Sequence, residues 1–110
     1  VKVVISKSGR AIYFSRAPIP WVRGDYDRLE TSALAGFNSA FRHLGIYAYR
    51  VSILKRITSL PVCAIEKAES LEQLRALWDG IDIQVSIVDN APTHGVDTEE
   101  DLTRVIAMMA

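Results

Sequence analysis

The segment KVVISKSGRAIYFS, residues 2–15, gives the clearest indication of the fold. Two runs rich in β-branched and aromatic residues, 2–6 and 11–15, flank four residues that include Gly9. A glycine turn between two such runs is typical of a β-hairpin. Pro18 and Pro20 have no backbone donor for a ladder, so they are expected to end the second strand. The chain is therefore predicted to begin with a pair of antiparallel strands.

The rest of the chain alternates strand and helix patterns. Apolar spacing predicts four further elements, which are a strand over residues 43–49, a helix over 51–57, a longer helix over 64–78 and a strand over 81–88. Gly80 stands just past the longer helix as a C-cap signal. Thr98 is expected to cap a last helix, with the Asp101 carboxylate reaching back in a capping box.

Residues 21–40 are expected to form a long surface connection, with one helical turn near residues 31–35. The order of the elements predicts an α/β fold with a layered sheet and flanking helices.

The composition excludes several classes of protein. The chain has 110 residues, of which 49% are hydrophobic and 24% are charged, so it forms one domain or part of one. Thirteen basic and thirteen acidic residues cancel, which argues against a broad grip on nucleic acid. No apolar run approaches the roughly 20 residues of a membrane helix. The single cysteine, Cys63, excludes an internal disulfide and suits a reducing compartment such as the cytoplasm. Because the chain begins at Val1, we expect it to be a piece of a longer protein.

Two candidate sites lie on the predicted helix and the predicted strand. Glu72 falls at the edge of the apolar stripe of a continuous helix, where it needs a partner or a ligand hydroxyl. The simpler interpretation is an ion pair with Arg75, three residues later. Strand alternation places His43, Tyr47 and Tyr49 on one face. That face either holds a polar ligand or is only a hydrated sheet face.

Two charged residues stand next to predicted element ends. Arg16 follows the second strand, where it can meet a carboxylate bidentately or stay a solvated surface arginine. Asp97 precedes the capped helix, where it either favours the helix start or offers a hard oxygen ligand to Mg²⁺. His94 is a weak ligand candidate, and Cys63 is interpreted as a small filler.

Four blocks of the sequence resemble the family of CMP-KDO synthetases, the 3-deoxy-manno-octulosonate (KDO) cytidylyltransferases. The blocks are AIYFSRAPIPW (11–21), RHLGIYAYR (42–50), ESLEQLRALW (69–78) and GVDTEEDL (95–102). The resemblance covers almost the whole chain and matches the carboxyl-terminal part of that family. It implies the carboxyl-terminal portion of a Rossmann-like nucleotidyltransferase, in which residues 1–110 serve sugar binding and dimerisation.

The resemblance also implies a reaction and its residues. Members transfer CMP from CTP to KDO with Mg²⁺, releasing pyrophosphate, in lipopolysaccharide or capsule synthesis, and are usually homodimers. Matched residue by residue, the sugar-acid pocket would consist of Arg16, His43, Tyr47, Glu72 and Gln73. Asp97 would be a magnesium ligand.

Departures from the family pattern leave two alternatives open. The family's glycine- and arginine-rich loop for CTP and its other magnesium aspartate are not found in these 110 residues, so this piece alone is expected to be inactive. Residues 63–66 are Cys-Ala-Ile-Glu, whereas the family usually has Ser-Pro-Leu-Glu at these positions. The alternatives are a non-catalytic remnant that binds a sugar acid and dimerises, and an enzyme for a related acid such as 8-amino-KDO.

Overall fold

The computed structural model describes residues 1–23, 40–90 and 95–110. In chain order, the elements in these ranges are the strands β1 (Lys2–Ile5), β2 (Ala11–Ser15) and β3 (Ala40–Arg42) and the helices α1 (Val51–Ser59), α2 (Ala64–Glu69), α3 (Gln73–Trp78) and α4 (Glu99–Met109). The predicted α/β class is confirmed. The predicted surface connection falls mostly on residues 24–39, outside the described residues, as does its helical turn.

The predicted hairpin is present. β1 and β2 pair antiparallel, and β3 pairs antiparallel with the other edge of β1, which gives the strand order β2-β1-β3. Gly9 turns the chain between β1 and β2 with a φ of +80°. A Cβ atom there would lie 2.6 Å from the side-chain nitrogen of Gln84. Glycine is therefore favoured at this turn for its φ, whereas the flexible end of the Gln84 side chain could move aside for a Cβ atom.

The core joins the hairpin to the segment around α3. Val3, Ile5 and Phe14 come from the sheet, and Leu71 and Leu74 come from the helical side. Phe14 is 2% exposed and Leu74 is fully buried. In β1 the buried residues alternate with half-buried ones, as expected for a strand with one face on the core. This packing fixes α3 against β2.

The prediction of one continuous helix over residues 64–78 is wrong. α2 ends at Glu69, and Ser70 takes a left-handed φ of +51° before α3 begins at Gln73. A left-handed residue is a common way to end a helix. Because the helical phase restarts after the break, a single helical wheel does not describe which side chains of α3 are buried.

The two strands predicted after residue 42 are also absent from the described structure. Residues 43–50 form neither strand nor helix. Residues 81–88 contain a single isolated bridge, between Gln84 and Arg10. Apolar alternation yields a strand only where a ladder of several residues forms. Among the described residues, 83–85 make two backbone hydrogen bonds with residues 9–11, and residues 43–50 contribute one, from the His43 N–H to the Val1 carbonyl oxygen, so neither segment extends into a strand.

The helix-end predictions are confirmed. The Thr98 hydroxyl accepts a hydrogen bond from the Asp101 backbone at 3.2 Å, and the Asp101 carboxylate accepts one from the Thr98 backbone at 3.2 Å. Gly80 follows α3 with a φ of +77°. None of the helices within the described ranges is long and apolar enough to cross a membrane.

Candidate functional site

A groove of about 1260 Å³ opens beside the sheet and brings together four of the five predicted sugar-pocket residues. They are His43, Tyr47, Glu72 and Gln73. The segments 43–50 and 81–88, α1 and the start of α3 supply most of the walls. The volume exceeds the roughly 300–1,000 Å³ of a single small-ligand cleft. These four side chains therefore line only part of a larger open groove.

His43 and Tyr47 touch directly. The Tyr47 hydroxyl lies 2.7 Å from His43 Nε2, and the two share a hydrogen bond whose direction follows the imidazole tautomer. Along an extended strand, residues four apart are separated by about 13 Å. Between His43 and Tyr47 the Ile46 backbone N–H donates to the Leu44 carbonyl oxygen, so the chain makes a tight turn instead. The predicted grouping is right although strand alternation is not its cause.

An aromatic series anchors this pair to the core. The His43 ring meets the buried Phe14 ring edge-on, with 5.2 Å between centroids. On the other side, the Tyr47 and Tyr49 rings stack 5.7 Å apart. Aromatic pairs in these arrangements contribute beyond simple burial. The series holds His43 and Tyr47 in place although no secondary structure supports them.

Burial sets the protonation of this pair. Desolvation is the main cause of a lowered pKa at His43, which keeps the ring neutral near pH 7. Desolvation also raises the pKa of Tyr47 to about 12, with smaller contributions from Tyr49 and Glu72. A neutral imidazole and a protonated phenol both donate and accept hydrogen bonds. Such groups suit a ligand rich in hydroxyls.

Glu72 and Gln73 occupy the start of α3 with opposite exposure. Glu72 is exposed, whereas Gln73 is 7% exposed. Nε2 of Gln73 is buried and has no hydrogen-bond partner among the described residues. A buried amide without a partner costs free energy, and folded proteins contain few of them. An unpaired donor on a residue that lines a groove points to a ligand that accepts its hydrogen bond.

The predicted ion pair between Glu72 and Arg75 is replaced by another. Arg75 donates from Nε and Nη2 to the two carboxylate oxygens of Glu66, at 2.8 and 2.5 Å. Glu66 is buried, with 8% of its surface exposed. The break at Ser70 lets α3 fold back on α2, which brings residues nine apart together. Glu72 is thereby left available to the groove.

Arg16 lies outside the lining of the groove and is fastened to the end of α2. Its Nε donates to the carbonyl oxygen of Glu69 at 2.6 Å, and its Nη2 donates to that of Ser70 at 3.0 Å. The backbone N–H of Arg16 donates to the Glu69 carboxylate at 3.0 Å. Arg16 is therefore held beside the turn that leads into Glu72 and Gln73.

Glu69 is a residue that sequence reasoning missed. Its carboxylate also accepts a hydrogen bond from the buried Ser15 hydroxyl at 2.6 Å. The hydrogen bond from Ser15 is the first cause of a lowered pKa at Glu69, followed by that from the Arg16 backbone. These contacts join residues more than 50 positions apart in the sequence, so no local sequence pattern predicts them.

Asp97 stands apart from the groove, one residue before the cap of α4. It is exposed, and no partner of its carboxylate is found among the described residues. Within those residues, no cluster of three or more His, Cys, Asp or Glu side chains is arranged to hold a metal. His94 lies outside the described residues. Cys63 is buried, as predicted for a filler.

Comparison with known proteins finds relatives among the cytidylyltransferases. A family model described as "Cytidylyltransferase" matches residues 1–83. A 3-deoxy-manno-octulosonate cytidylyltransferase of Hahella chejuensis is 52% identical over 110 residues, which cover 100% of this chain and 43% of that protein. The protein of the same name from Neisseria gonorrhoeae is 52% identical over 108 residues, which cover 98% of this chain and 42% of that protein.

A solved structure agrees with these sequence relatives. It is a CMP:2-keto-3-deoxy-manno-octonic acid synthetase complexed with CTP. The two chains are 42% identical and superpose with a TM-score of 0.81, over 98% of this chain and 40% of the other. This chain thus spans less than half the length of the proteins that it resembles.

Proposed function

Because this chain belongs to the cytidylyltransferase family, we propose that the protein containing it transfers CMP from CTP to KDO and releases pyrophosphate. Support comes from relatives that bear the name of this enzyme at 52% identity and from a structural neighbour that holds CTP. Since these relatives are named as enzymes, the alternative of a non-catalytic remnant is less well supported. The part described above contributes the sugar-acid side of the site.

Nε2 of Gln73, a buried donor without a partner among the described residues, carries this proposal. A sugar acid presents many hydroxyls, and each oxygen accepts a hydrogen bond from a donor such as Nε2 of Gln73. Glu72 accepts hydroxyl protons, and His43 and Tyr47 both donate and accept. The four side chains share one groove. Together they match the mixed donors and acceptors of a polyhydroxylated ring.

The sugar carboxylate needs a positive partner, and Arg16 is our candidate. Its Nε and one N–H of Nη2 already donate to main-chain carbonyls. The edge formed by Nη1 and Nη2 has no partner among the described residues. Two parallel hydrogen bonds from such an edge fit a planar carboxylate. Arg16 would thus fix the acid end of the sugar while the groove residues hold its hydroxyls.

In the proposed reaction, the anomeric hydroxyl of the sugar attacks the α-phosphorus of CTP and pyrophosphate leaves. A transfer of this kind depends on alignment and charge neutralisation more than on covalent help from the protein. Residues of this chain would therefore act by holding the hydroxyl in line.

The same proposal places the protein in the cytoplasm as a homodimer that serves lipopolysaccharide or capsule synthesis.

Asp97 fits one ligand of Mg²⁺ in this proposal. Mg²⁺ usually takes one or two carboxylates together with substrate phosphates, and Asp97 offers an exposed carboxylate. The described residues near it supply no further cluster, so the phosphates and other groups would complete the coordination. When bound, the ion neutralises phosphate charge.

Replacing Gln73 by Met should weaken sugar binding without weakening the fold. Loss of the amide should raise the KM for KDO about tenfold, because a sugar hydroxyl loses its donor. The free energy of unfolding should rise by about 1 kcal/mol, because a buried unpaired amide is removed. Steady-state kinetics of the whole protein, with KDO and CTP varied in turn, and thermal unfolding measure both effects.

Gln84 provides the matched control for stability. Its side-chain nitrogen donates to the Ser8 carbonyl oxygen at 3.2 Å, so Gln84→Met breaks a hydrogen bond and should not gain stability. If Gln73→Met lowered stability and left the KM for KDO unchanged, Gln73 would be structural and the pocket assignment wrong. Absence of pyrophosphate release with CTP and KDO in the unaltered whole protein would refute the activity itself.

Asp97→Asn should raise the Mg²⁺ concentration needed for half-maximal turnover about tenfold, because a neutral amide is a poor magnesium ligand. The melting midpoint should stay near that of the parent protein, since Thr98 still caps α4. Glu100→Gln makes the same charge change in the first turn of α4 and is the control. Equal Mg²⁺ requirements for both variants would leave Asp97 as a helix-start residue only.

A further inference from the structure

We propose that Glu69 is a positioning residue, which holds the Arg16 guanidinium so that it can receive the carboxylate of the sugar acid. The inference rests on the proposed function, which gives Arg16 that carboxylate. Glu69 itself need not touch substrate. Its carboxylate holds the Arg16 backbone, and its main-chain carbonyl, together with that of Ser70, holds the guanidinium at the C-terminal end of α2.

The carboxylate of Glu69 fixes the backbone end. Its two oxygens accept hydrogen bonds from the Ser15 hydroxyl at 2.6 Å and from the Arg16 backbone at 3.0 Å. The Tyr13 hydroxyl also donates to this carboxylate, over a longer distance of 3.5 Å. Ser15 is 2% exposed, so this is an anchored contact and not a mobile surface pair. The last residues of β2 are thereby tied to α2.

Main-chain carbonyls fix the guanidinium end. The carbonyl oxygens of Glu69 and Ser70 accept from Nε and Nη2, which form one edge of the planar guanidinium. The left-handed conformation of Ser70 belongs to the same turn. With one edge occupied, the opposite edge is presented in a fixed orientation. Less side-chain freedom is then lost when a carboxylate binds.

The same turn couples Arg16 to the groove. Residues 70–72 link α2 to α3, and the next residue is the buried Gln73. A second clamp, from Arg75 to Glu66, holds α3 to α2. The hydrogen bonds of Arg16 to the end of α2 and the ion pair between Arg75 and Glu66 together hold Arg16, Glu72 and Gln73 in one rigid unit. A change at Glu69 should therefore act on the sugar acid and spare the nucleotide.

The test is Glu69→Gln in the whole protein, assayed with KDO and CTP. The amide keeps the size of the side chain but removes the negative charge, so the hydrogen bonds to the Ser15 hydroxyl and the Arg16 backbone lose their charge assistance and hold Arg16 less firmly. We expect the KM for KDO to rise about fivefold, while kcat and the KM for CTP change less than twofold. Ile5→Val, a core change away from the groove lining, should lower the melting midpoint without moving the KM for KDO.

The outcomes separate this inference from the proposed function. If Arg16→Lys raises the KM for KDO and Glu69→Gln does not, the positioning role is wrong while the function stands. If neither Arg16→Lys nor Gln73→Met changes it, the sugar pocket itself is wrong. Equal shifts for KDO and CTP in Glu69→Gln would also overturn the inference. Should Glu69→Gln fail to fold, Ser15→Ala removes one donor to the carboxylate and should raise the KM for KDO in the same selective way.

Discussion

Replacing Arg75 by Met should lower the thermal midpoint of the whole protein by about 10 °C. The side chains of Arg75 and Glu66 are 20% and 9% exposed, and they meet through two hydrogen bonds. Removal of the cation leaves the Glu66 carboxylate buried and without its partner. Breaking one side of a buried pair costs more than the pair contributes, because the remaining charge stays desolvated. Differential scanning calorimetry measures the change.

The double variant Glu66→Leu/Arg75→Met is the matched control. It removes both charges together, so most of the lost midpoint should return. If the single and double variants melted at the same low temperature, the space filled by Arg75 would matter and its charge would not.

Acid dependence gives a second readout of the same pair. The hydrogen bonds from Arg75 are the main cause of the lowered pKa of Glu66. A folded-state pKa below the unfolded value stabilises the fold above about pH 4.3, the ordinary value of a glutamate. This contribution is lost as the pH falls through the folded-state pKa. The double variant should therefore lose less stability on acidification than the parent protein.

Arg16→Lys should raise the KM for KDO about tenfold to a hundredfold and leave the KM for CTP nearly unchanged. A guanidinium serves two main-chain carbonyls from one edge and keeps a second edge for a carboxylate. A lysine ammonium has its three donors on a single atom and cannot do both. Initial-rate kinetics with each substrate varied at saturating levels of the other distinguish the two constants.

Arg10→Lys is the control for this substitution. Arg10 makes an exposed ion pair with Asp82 at 2.9 Å, and exposed pairs of this kind contribute little. Its replacement should leave both Michaelis constants unchanged. If Arg16→Lys instead shifted the KM values for CTP and KDO equally, or only lowered the melting midpoint, Arg16 would be a structural fastener of α2.

Local chemistry in the sequence was enough for the hairpin and the helix ends. The Gly9 turn, the capping box of Thr98 and Asp101, and the glycine after α3 all depend on neighbours within a few residues. Such signals survive any tertiary arrangement, because the hydrogen bonds and φ angles that they require are local. The resemblance to the cytidylyltransferases likewise came from contiguous blocks, and the family match over residues 1–83 confirms it.

The failed predictions share one physical cause. The wheel for residues 64–78 assumed an unbroken helix, but the left-handed Ser70 resets the phase. As a result, Glu66 is buried with Arg75 while Glu72 is exposed. The strand predicted over residues 43–49 assumed a neighbouring ladder that the described structure does not supply. The spacing of apolar residues indicates which side chains are buried within a regular helix or strand, and it does not indicate where the chain turns.

Sequence patterns were sufficient to predict the fold class, the first hairpin, the cap of the last helix and the candidate site residues. Which of those residues contact one another depends on tertiary packing. It gathered His43, Tyr47, Glu72 and Gln73 around one groove and fastened Arg16 to Glu69, 53 residues away. It also left Nε2 of Gln73 buried, with no hydrogen-bond partner in the part of the chain that the structure describes. Contacts between distant residues depend on how helices and strands pack. Burial of apolar surface is favourable however far apart in the sequence the buried residues lie, so local patterns do not predict these contacts.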